Sequence, residues 1–316
     1  MTLSIGLILI GLLLLILGGD WLIRGSVSIA QRLRLTPMVI GLTVVSFGTS
    51  APEFLVSLQS ALSGNAGIAL GNVIGSNIAN IALILGATAL FCPIPVRGST
   101  LKIDAPFLII VSVILTLICH FTASLTRLQG IIGMLLLTAY VAGLVRAARA
   151  QTQQAVTAEA PDSAEAAPPP SLLKAILCLL IAIAALKWGA EWLVQGASAV
   201  AASLGVSSRI IGLTVVAIGT SLPELFASII AARRGNVDMA VGNAIGSNLF
   251  NILCVLAASC SICPIHHIDP AFTRDCLWMI GLSLLIWLQL RTGYTLTRTE
   301  GGILLLVYFI YIFLTL

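Results

Sequence analysis

The chain has 316 residues, of which 59% are hydrophobic and 9% charged, with a formal net charge of +4. Soluble domains are nearer a quarter charged, so the composition excludes an ordinary soluble globular protein. The small positive charge gives no footprint for nucleic acid, and its distribution, below, assigns it to loops between apolar segments.

A membrane-spanning helix needs about 20 apolar residues. Ten such segments follow in chain order: residues 3–23, 36–62, 69–91, 104–122, 126–146, 172–194, 207–232, 238–260, 272–290 and 295–316. The fold class predicted is an all-α membrane protein of ten transmembrane helices. The first segment has no basic n-region before it and no small-residue cleavage site, which predicts a retained helix and not a signal peptide. The second, 36–62, is long enough to be tilted or broken. Of the seven cysteines, Cys178 and Cys254 sit in apolar runs, and Cys92 and Cys263 lie beside Pro93 and Pro264. None has metal-type spacing, and they read as small apolar fillers.

One motif occurs twice. Residues 41–53 read Gly-Leu-Thr-Val-Val-Ser-Phe-Gly-Thr-Ser-Ala-Pro-Glu, and residues 212–224 read Gly-Leu-Thr-Val-Val-Ala-Ile-Gly-Thr-Ser-Leu-Pro-Glu. Each is followed by a second polar cluster, Gly71 to Asn80 and Gly242 to Asn251. A shift of 171 positions superposes the halves without a net gap, matching Trp21 with Trp192, Ser57 with Ser228, Asp104 with Asp275 and Gly130 with Gly301. The repeat is a five-helix unit, residues 1–146 and 172–316. An odd number of helices forces the second copy upside down in the bilayer, the plan of secondary transporters with an ion site near the midplane. Residues 147–171 hold Ala, Gln, Glu, Asp, Ser and Pro168 to Pro170, and predict a flexible linker.

Lysine and arginine give the orientation. Twelve fall in the loops after odd-numbered helices, against three (Arg127, Arg209 and Arg274) after even-numbered ones. Both termini are therefore expected outside and the linker in the cytoplasm.

A carboxylate at membrane depth is costly and by default functional. In the second segment Ser46, Thr49, Ser50 and Glu53 stand at spacings of three and four, on one helical face. Pro52 removes a helix hydrogen bond and crowds the carbonyl of Gly48, freeing backbone oxygens. The seventh segment repeats this with Ala217, Thr220, Ser221, Pro223 and Glu224. Asn72, Ser76 and Asn80, and likewise Asn243, Ser247 and Asn251, recur at steps of four. Gly71, Gly75, Gly242 and Gly246 offer small surfaces for close helix approach. Two carboxylates, hydroxyls, amide oxygens and freed carbonyls are all oxygen ligands. Calcium takes six to eight of these, and two carboxylates neutralise one divalent ion. A lone Ser/Thr/Asn cluster is ordinarily interhelical glue, but packing gives no reason for a doubled buried anion.

The pairing of Gly-Thr-Ser-x-Pro-Glu with Gly-Ser-Asn-x-x-Asn closely resembles the sodium/calcium exchanger family of the calcium:cation antiporter superfamily, in its ten-helix bacterial and archaeal form. The resemblance covers nearly the whole chain. It implies a calcium site of Glu53 and Glu224 with the carbonyls of Thr49 and Thr220. It implies sodium sites at Ser46, Thr49, Ser50, Ser76, Ala217, Thr220, Ser221 and Ser247, sharing the glutamates. Asn80 and Asn251 complete the central layer. Several relatives have Asp at position 251, and Asn here argues against a potassium-dependent variant. Gly75 and Gly246 stand where proton/calcium relatives typically carry a glutamate, which leans toward sodium coupling. The resemblance implies antiport of Ca²⁺ for Na⁺ across the plasma (bacterial inner) membrane, with the two ions and the bilayer as partners and no cofactor.

Other charges have plainer readings. Asp104 and Asp275 precede helices 4 and 9 and are expected as N-caps. Asp20 and Glu191 precede Trp21 and Trp192 and read as interfacial anchors. Lys187 is four residues from Glu191, suited to a local ion pair. His120, His266 and His267 form no metal-ligand spacing. A proton/calcium exchanger is the nearest rival reading, and a cation channel with a glutamate filter is more remote, because filters usually repeat around the pore axis. The absence of His-Glu-x-x-His, Gly-x-Ser-x-Gly and a phosphate-binding loop argues against an enzyme.

Overall fold

The computed structural model describes residues 2–33, 35–64, 66–96, 98–158, 171–205, 217–291 and 293–315. Among them, eight helices are long and apolar enough to span a membrane. They are α1 (Thr2–Leu33), α3 (Gly67–Phe91), α4 (Thr100–Phe121), α5 (Arg127–Ala158), α6 (Leu172–Ser203), α8 (Val237–Ile262), α9 (Ala271–Arg291) and α10 (Arg298–Thr315). A ninth span is the pair α2a (Pro37–Thr49) and α2b (Ala51–Leu62), bent by 48°. Of the segment expected at 207–232, the structure gives a turn at Ala217–Gly219 and the helix α7 (Leu222–Arg233). The stretch before it, 206–216, lies outside the described residues.

The bend expected in the second segment falls at Ser50, whose φ of −83° and ψ of 5° leave the helical well just before Pro52. Ser221 has the same geometry before Pro223, at φ −90° and ψ 2°. Proline cannot continue the hydrogen-bond ladder, so both breaks are written in the sequence.

Helices α3 and α8 stand at the centre. Their composition explains it, since Gly, Ala, Ser and Asn let backbones approach. A Cβ on Gly242 would stand 2.7 Å from the Met38 carbonyl oxygen, and one on Gly246 would stand 2.7 Å from Leu42 Cα. These two glycines make the close approach expected of them, to α2a. The positions corresponding to Met38 and Leu42 beside Gly71 and Gly75 are 209 and 213, outside the described residues. Helices α1 and α6 pack along each other in the same way. A Cβ on Gly11 would meet the Gly189 carbonyl at 2.7 Å, and one on Gly189 would meet that of Gly11 at 2.9 Å.

Several expectations need correction. Helices α1 and α6 do not end near their tryptophans but run 32 residues each. At 1.5 Å per residue that is about 48 Å, longer than the hydrocarbon layer. The extra turns of α1 are held because Ile23, Ile29 and Ala30 pack into an apolar cluster with Leu179 and Ala175 of α6. Asp20 is accordingly no helix-end anchor: it bonds Arg24 at 2.8 Å and also pairs with Arg234, beyond α7. Glu191 pairs with Lys187 at 3.7 Å, as the spacing predicted. Neither Asp104 nor Asp275 is an N-cap. Asp104 lies inside α4, in a π-helical turn Thr100–Asp104, and accepts the Tyr140 hydroxyl at 2.7 Å. Asp275 lies inside α9 and accepts the Tyr311 hydroxyl at 3.4 Å. Both helices begin a turn or more before their aspartate. At α9 it is Asp269 that holds the start, accepting from the Ala271 N–H at 2.8 Å.

Helix α5 continues through Ala158, so residues 147–158, expected in the linker, are helical. That stretch is mostly Ala, Gln and Arg without proline, a composition of high helix propensity. Residues 159–170 lie outside the described residues. Among the described residues, the extended pairings are a short one of β1 (Ile94–Pro95) with β2 (Thr295–Leu296) and a single bridge from Leu125 to Ile265. Ile94 with Leu296 and Leu125 with Ile265 exchange roles under the 171-residue shift, a relation that no hydrophobic pattern discloses.

Candidate cation site

The two helix breaks bring the motif side chains together. Glu53 and Glu224 each begin the helix after a break, α2b and α7, and each is 1% exposed. Ser50 Oγ, from the first half, donates to Glu224 Oε1 at 3.2 Å. Thr49 Oγ1 donates to Asn243 Oδ1 at 3.2 Å and to its own Val45 carbonyl at 3.1 Å. Ser46 Oγ donates to the carbonyls of Gly41 at 2.6 Å and Asn243 at 3.0 Å. Three of the predicted residues of the first half are thus bonded directly to helices of the second.

A layer of amides lies beside them. Asn77 Nδ2 donates to the Asn248 carbonyl at 3.3 Å, and Asn248 Nδ2 donates to the Asn77 carbonyl at 3.2 Å. This reciprocal clasp joins α3 to α8. Asn80 Nδ2 donates to Asn248 Oδ1 at 2.9 Å. Asn80 and Asn251 each open a π-helical turn, Asn80–Leu85 and Asn251–Leu256. Single π turns widen a helix locally and recur at functional sites.

Ser46, Thr49, Ser50, Glu53, Ser76, Asn80, Ser221, Glu224, Ser247 and Asn251 are all buried. Thr220 is half-buried, and of Ala217 only the backbone is described. Among the described residues, Glu53 Oε2, Glu224 Oε2, Asn80 Oδ1, Ser221 Oγ, Ser247 Oγ and both polar atoms of Asn251 have no hydrogen-bond partner. A buried polar atom without a partner costs about 1–3 kcal/mol. The oxygens among these atoms, two of which belong to the carboxylates, are hard donors of the kind that suits a bare cation. Among the described residues no group of three or more His, Cys, Asp or Glu is placed so as to hold a metal ion.

Sequence reasoning did not put Ser57, Ser228, Asn77 or Asn248 to work. Asn72 Nδ2 donates to the Glu53 carbonyl at 3.2 Å and to Ser57 Oγ at 2.9 Å. Asn243 Nδ2 donates to the Glu224 carbonyl at 3.3 Å and to Ser228 Oγ at 3.0 Å. The signal was available, since Ser57 and Ser228 match across the shift.

Apolar spanning helices, interrupted at buried carboxylates where two motif copies meet, define a secondary cation transporter. The family described as sodium/calcium exchanger protein matches residues 3–148 and 174–316. CaxA of Alkalimonas amylolytica, named provisionally as an antiporter, is 41% identical over 314 residues, covering 97% of each chain. The sodium/calcium exchanger MaX1 of Methanosarcina acetivorans is 31% identical over 339 residues, again covering 97% of each. The solved structure of the sodium-calcium exchanger NCX_Mj superposes with a TM-score of 0.82 at 31% identity over 98% of both chains. The chain belongs to the sodium/calcium exchanger family. It is a multi-pass membrane antiporter of Ca²⁺ against another cation, and as such a transporter and not an enzyme.

Proposed function

We propose that this protein exchanges Ca²⁺ for Na⁺ across the plasma (bacterial inner) membrane by alternating access, at one midplane site built on Glu53 and Glu224. The observation that carries the reading is the group of unpartnered buried oxygens on Glu53, Glu224, Asn80, Ser221, Ser247 and Asn251. In this reading the carboxylates bind Ca²⁺ together with the carbonyls of Thr49 and Thr220. Sodium takes the hydroxyls of Ser46, Thr49, Ser50, Ser76, Thr220, Ser221 and Ser247 and the position of Ala217, sharing the glutamates. Asn80 and Asn251 close the central layer. Two carboxylates balance either one Ca²⁺ or two Na⁺, so the ions compete for the same oxygens, and that competition couples their movements.

The chain is read as ten spans in two inverted five-helix repeats, residues 1–146 and 172–316, joined on the cytoplasmic side with both termini outside. The long pair α1 and α6 moves past the core of α2, α3, α7 and α8. No cofactor is required, because the charge balance resides in the two glutamates.

The deciding experiment is uptake of ⁴⁵Ca²⁺ into proteoliposomes under imposed Na⁺, H⁺ or K⁺ gradients. Uptake driven by an outward Na⁺ gradient is the expected result. Uptake that follows the pH gradient and ignores Na⁺ would reassign the protein as a proton/calcium exchanger.

A further inference from the structure

Asn72 and Asn243 stand 171 positions apart, and each does the same thing in its own half. Its Nδ2 bridges the backbone carbonyl of the site glutamate and the serine hydroxyl one turn further along the same helix. Two donations along one helix edge fix the height of that glutamate against α3 or α8. Asn243 also uses its acceptor, since Thr49 Oγ1 donates to its Oδ1 at 3.2 Å. With Nδ2 committed to α7 and Oδ1 to α2a, the network selects one orientation of the amide. The Asn243 carbonyl meanwhile takes the Ser46 hydroxyl at 3.0 Å. One residue, itself 1% exposed, therefore touches Ser46 and Thr49 from one half and the glutamate helix of the other.

We propose that Asn243, with Asn72 as its counterpart, is a positioning residue that sets the separation between the Thr49 arm and the Glu224 arm of the site. The inference rests on the reading of those arms as the Ca²⁺ ligands. Asn243 acts through its neighbours and need not touch the ion. Calcium–oxygen distances span only about 2.3–2.6 Å. A drift of one arm by about an ångström therefore removes a ligand, and it also blurs the discrimination by ionic size.

The test is equilibrium ⁴⁵Ca²⁺ binding to the purified full chain, with Ba²⁺ as competitor and thermal melting alongside. Asn243→Ala should weaken Ca²⁺ binding about 10–100-fold, the usual cost of losing a residue that orients metal ligands. It should also move the Ca²⁺/Ba²⁺ preference toward unity. Ser228→Ala, which removes one acceptor and leaves the amide in place, should shift both in the same direction by less, and it serves where Asn243→Ala does not fold. Combining Thr49→Val with Asn243→Ala should cost less than the sum of the two changes, because they remove the same bond. Folded variants that bind Ca²⁺ with the parent's affinity and preference, or a cycle that is strictly additive, would overturn the positioning role alone. A parent that binds no Ca²⁺ would overturn the site reading and this inference with it.

Discussion

Two carboxylates set the electrostatics at the scale of single residues. Glu224 is held by Ser50 of the other half, while its second oxygen and one of Glu53 have no hydrogen-bond partner among the described residues. Glu53→Gln or Glu224→Gln leaves one anion against a divalent ion. The expected result is a fall in ⁴⁵Ca²⁺ flux of about 100-fold or more, within the range of about 2–5 kcal/mol for a buried charge that loses its partner. Melting should stay near that of the parent, and near-normal flux in either purified variant would remove the shared site. Asn251 tests the same charge balance from the other side. Both its polar atoms are unpartnered, and it opens a π-helical turn within the amide layer. Asn251→Asp raises the anion count from two to three, so one Ca²⁺ no longer neutralises the site. A proton or a monovalent cation must then bind as well. Calcium flux should persist but depend more steeply on pH than in the parent. A pH profile matching the parent's would place residue 251 outside the charged layer.

Among the elements, close approach of backbones decides which substitutions are tolerated. A Cβ on Gly242 meets the Met38 carbonyl at 2.7 Å, and backbone has nowhere to retreat. Gly242→Ala should destabilise by about 1–3 kcal/mol, read as a lower melting temperature in detergent. Gly281→Ala on α9 has no heavy atom within 4 Å among the described residues and should leave melting unchanged or raise it. Equal melting of both variants would mean that α2a and α8 are not in tight contact. The contact behind this prediction lies on a glycine that the sequence marks by its motif. The helix breaks before Pro52 and Pro223 were legible for the same reason: a proline has one local consequence. Other features were not legible, because they depend on partners distant in sequence. Asp104 reads as a cap until Tyr140, on the next helix, is seen to hold it. The π-helical turns at Asn80 and Asn251 leave no mark in a hydrophobic period. The continuation of α5 through Ala158 was readable from its alanines and glutamines, but low apolar content suggested a linker instead.

For the whole molecule, α1 and α6 form one long pair whose glycines meet each other's backbone, and the pair is tied to the rest by polar contacts as well as apolar ones. One such tie is the ion pair of Asp20 in α1 with Arg234, in the turn that follows α7. Its groups are partly exposed, at 23% for Asp20 and 38% for Arg234, so it adds at most about 1 kcal/mol to stability. The positions corresponding to Asp20 and Arg234 in the other half are Glu191 and Ser63, and Glu191 is engaged instead with Lys187. The tie therefore has no counterpart among the described residues, and under the proposed alternating access it would favour one of the two arrangements. If α1 slides past α7 during exchange, fixing this point must stop the cycle. In a background with the seven cysteines replaced, Asp20→Cys with Arg234→Cys can be bridged by a short bis-methanethiosulfonate, which joins each thiol through a reducible disulfide with loss of methanesulfinate. Bridged protein should lose Na⁺-driven ⁴⁵Ca²⁺ uptake and regain it on reduction, while each single-cysteine variant treated in the same way keeps it. Calcium binding at equilibrium should survive the bridge, because the proposed ligands lie on α2a, α2b, α7 and the turn before it and not on α1. Uptake at the parent rate through a fully bridged sample would show that α1 and the end of α7 stay together throughout exchange, and the moving boundary would then have to be sought elsewhere.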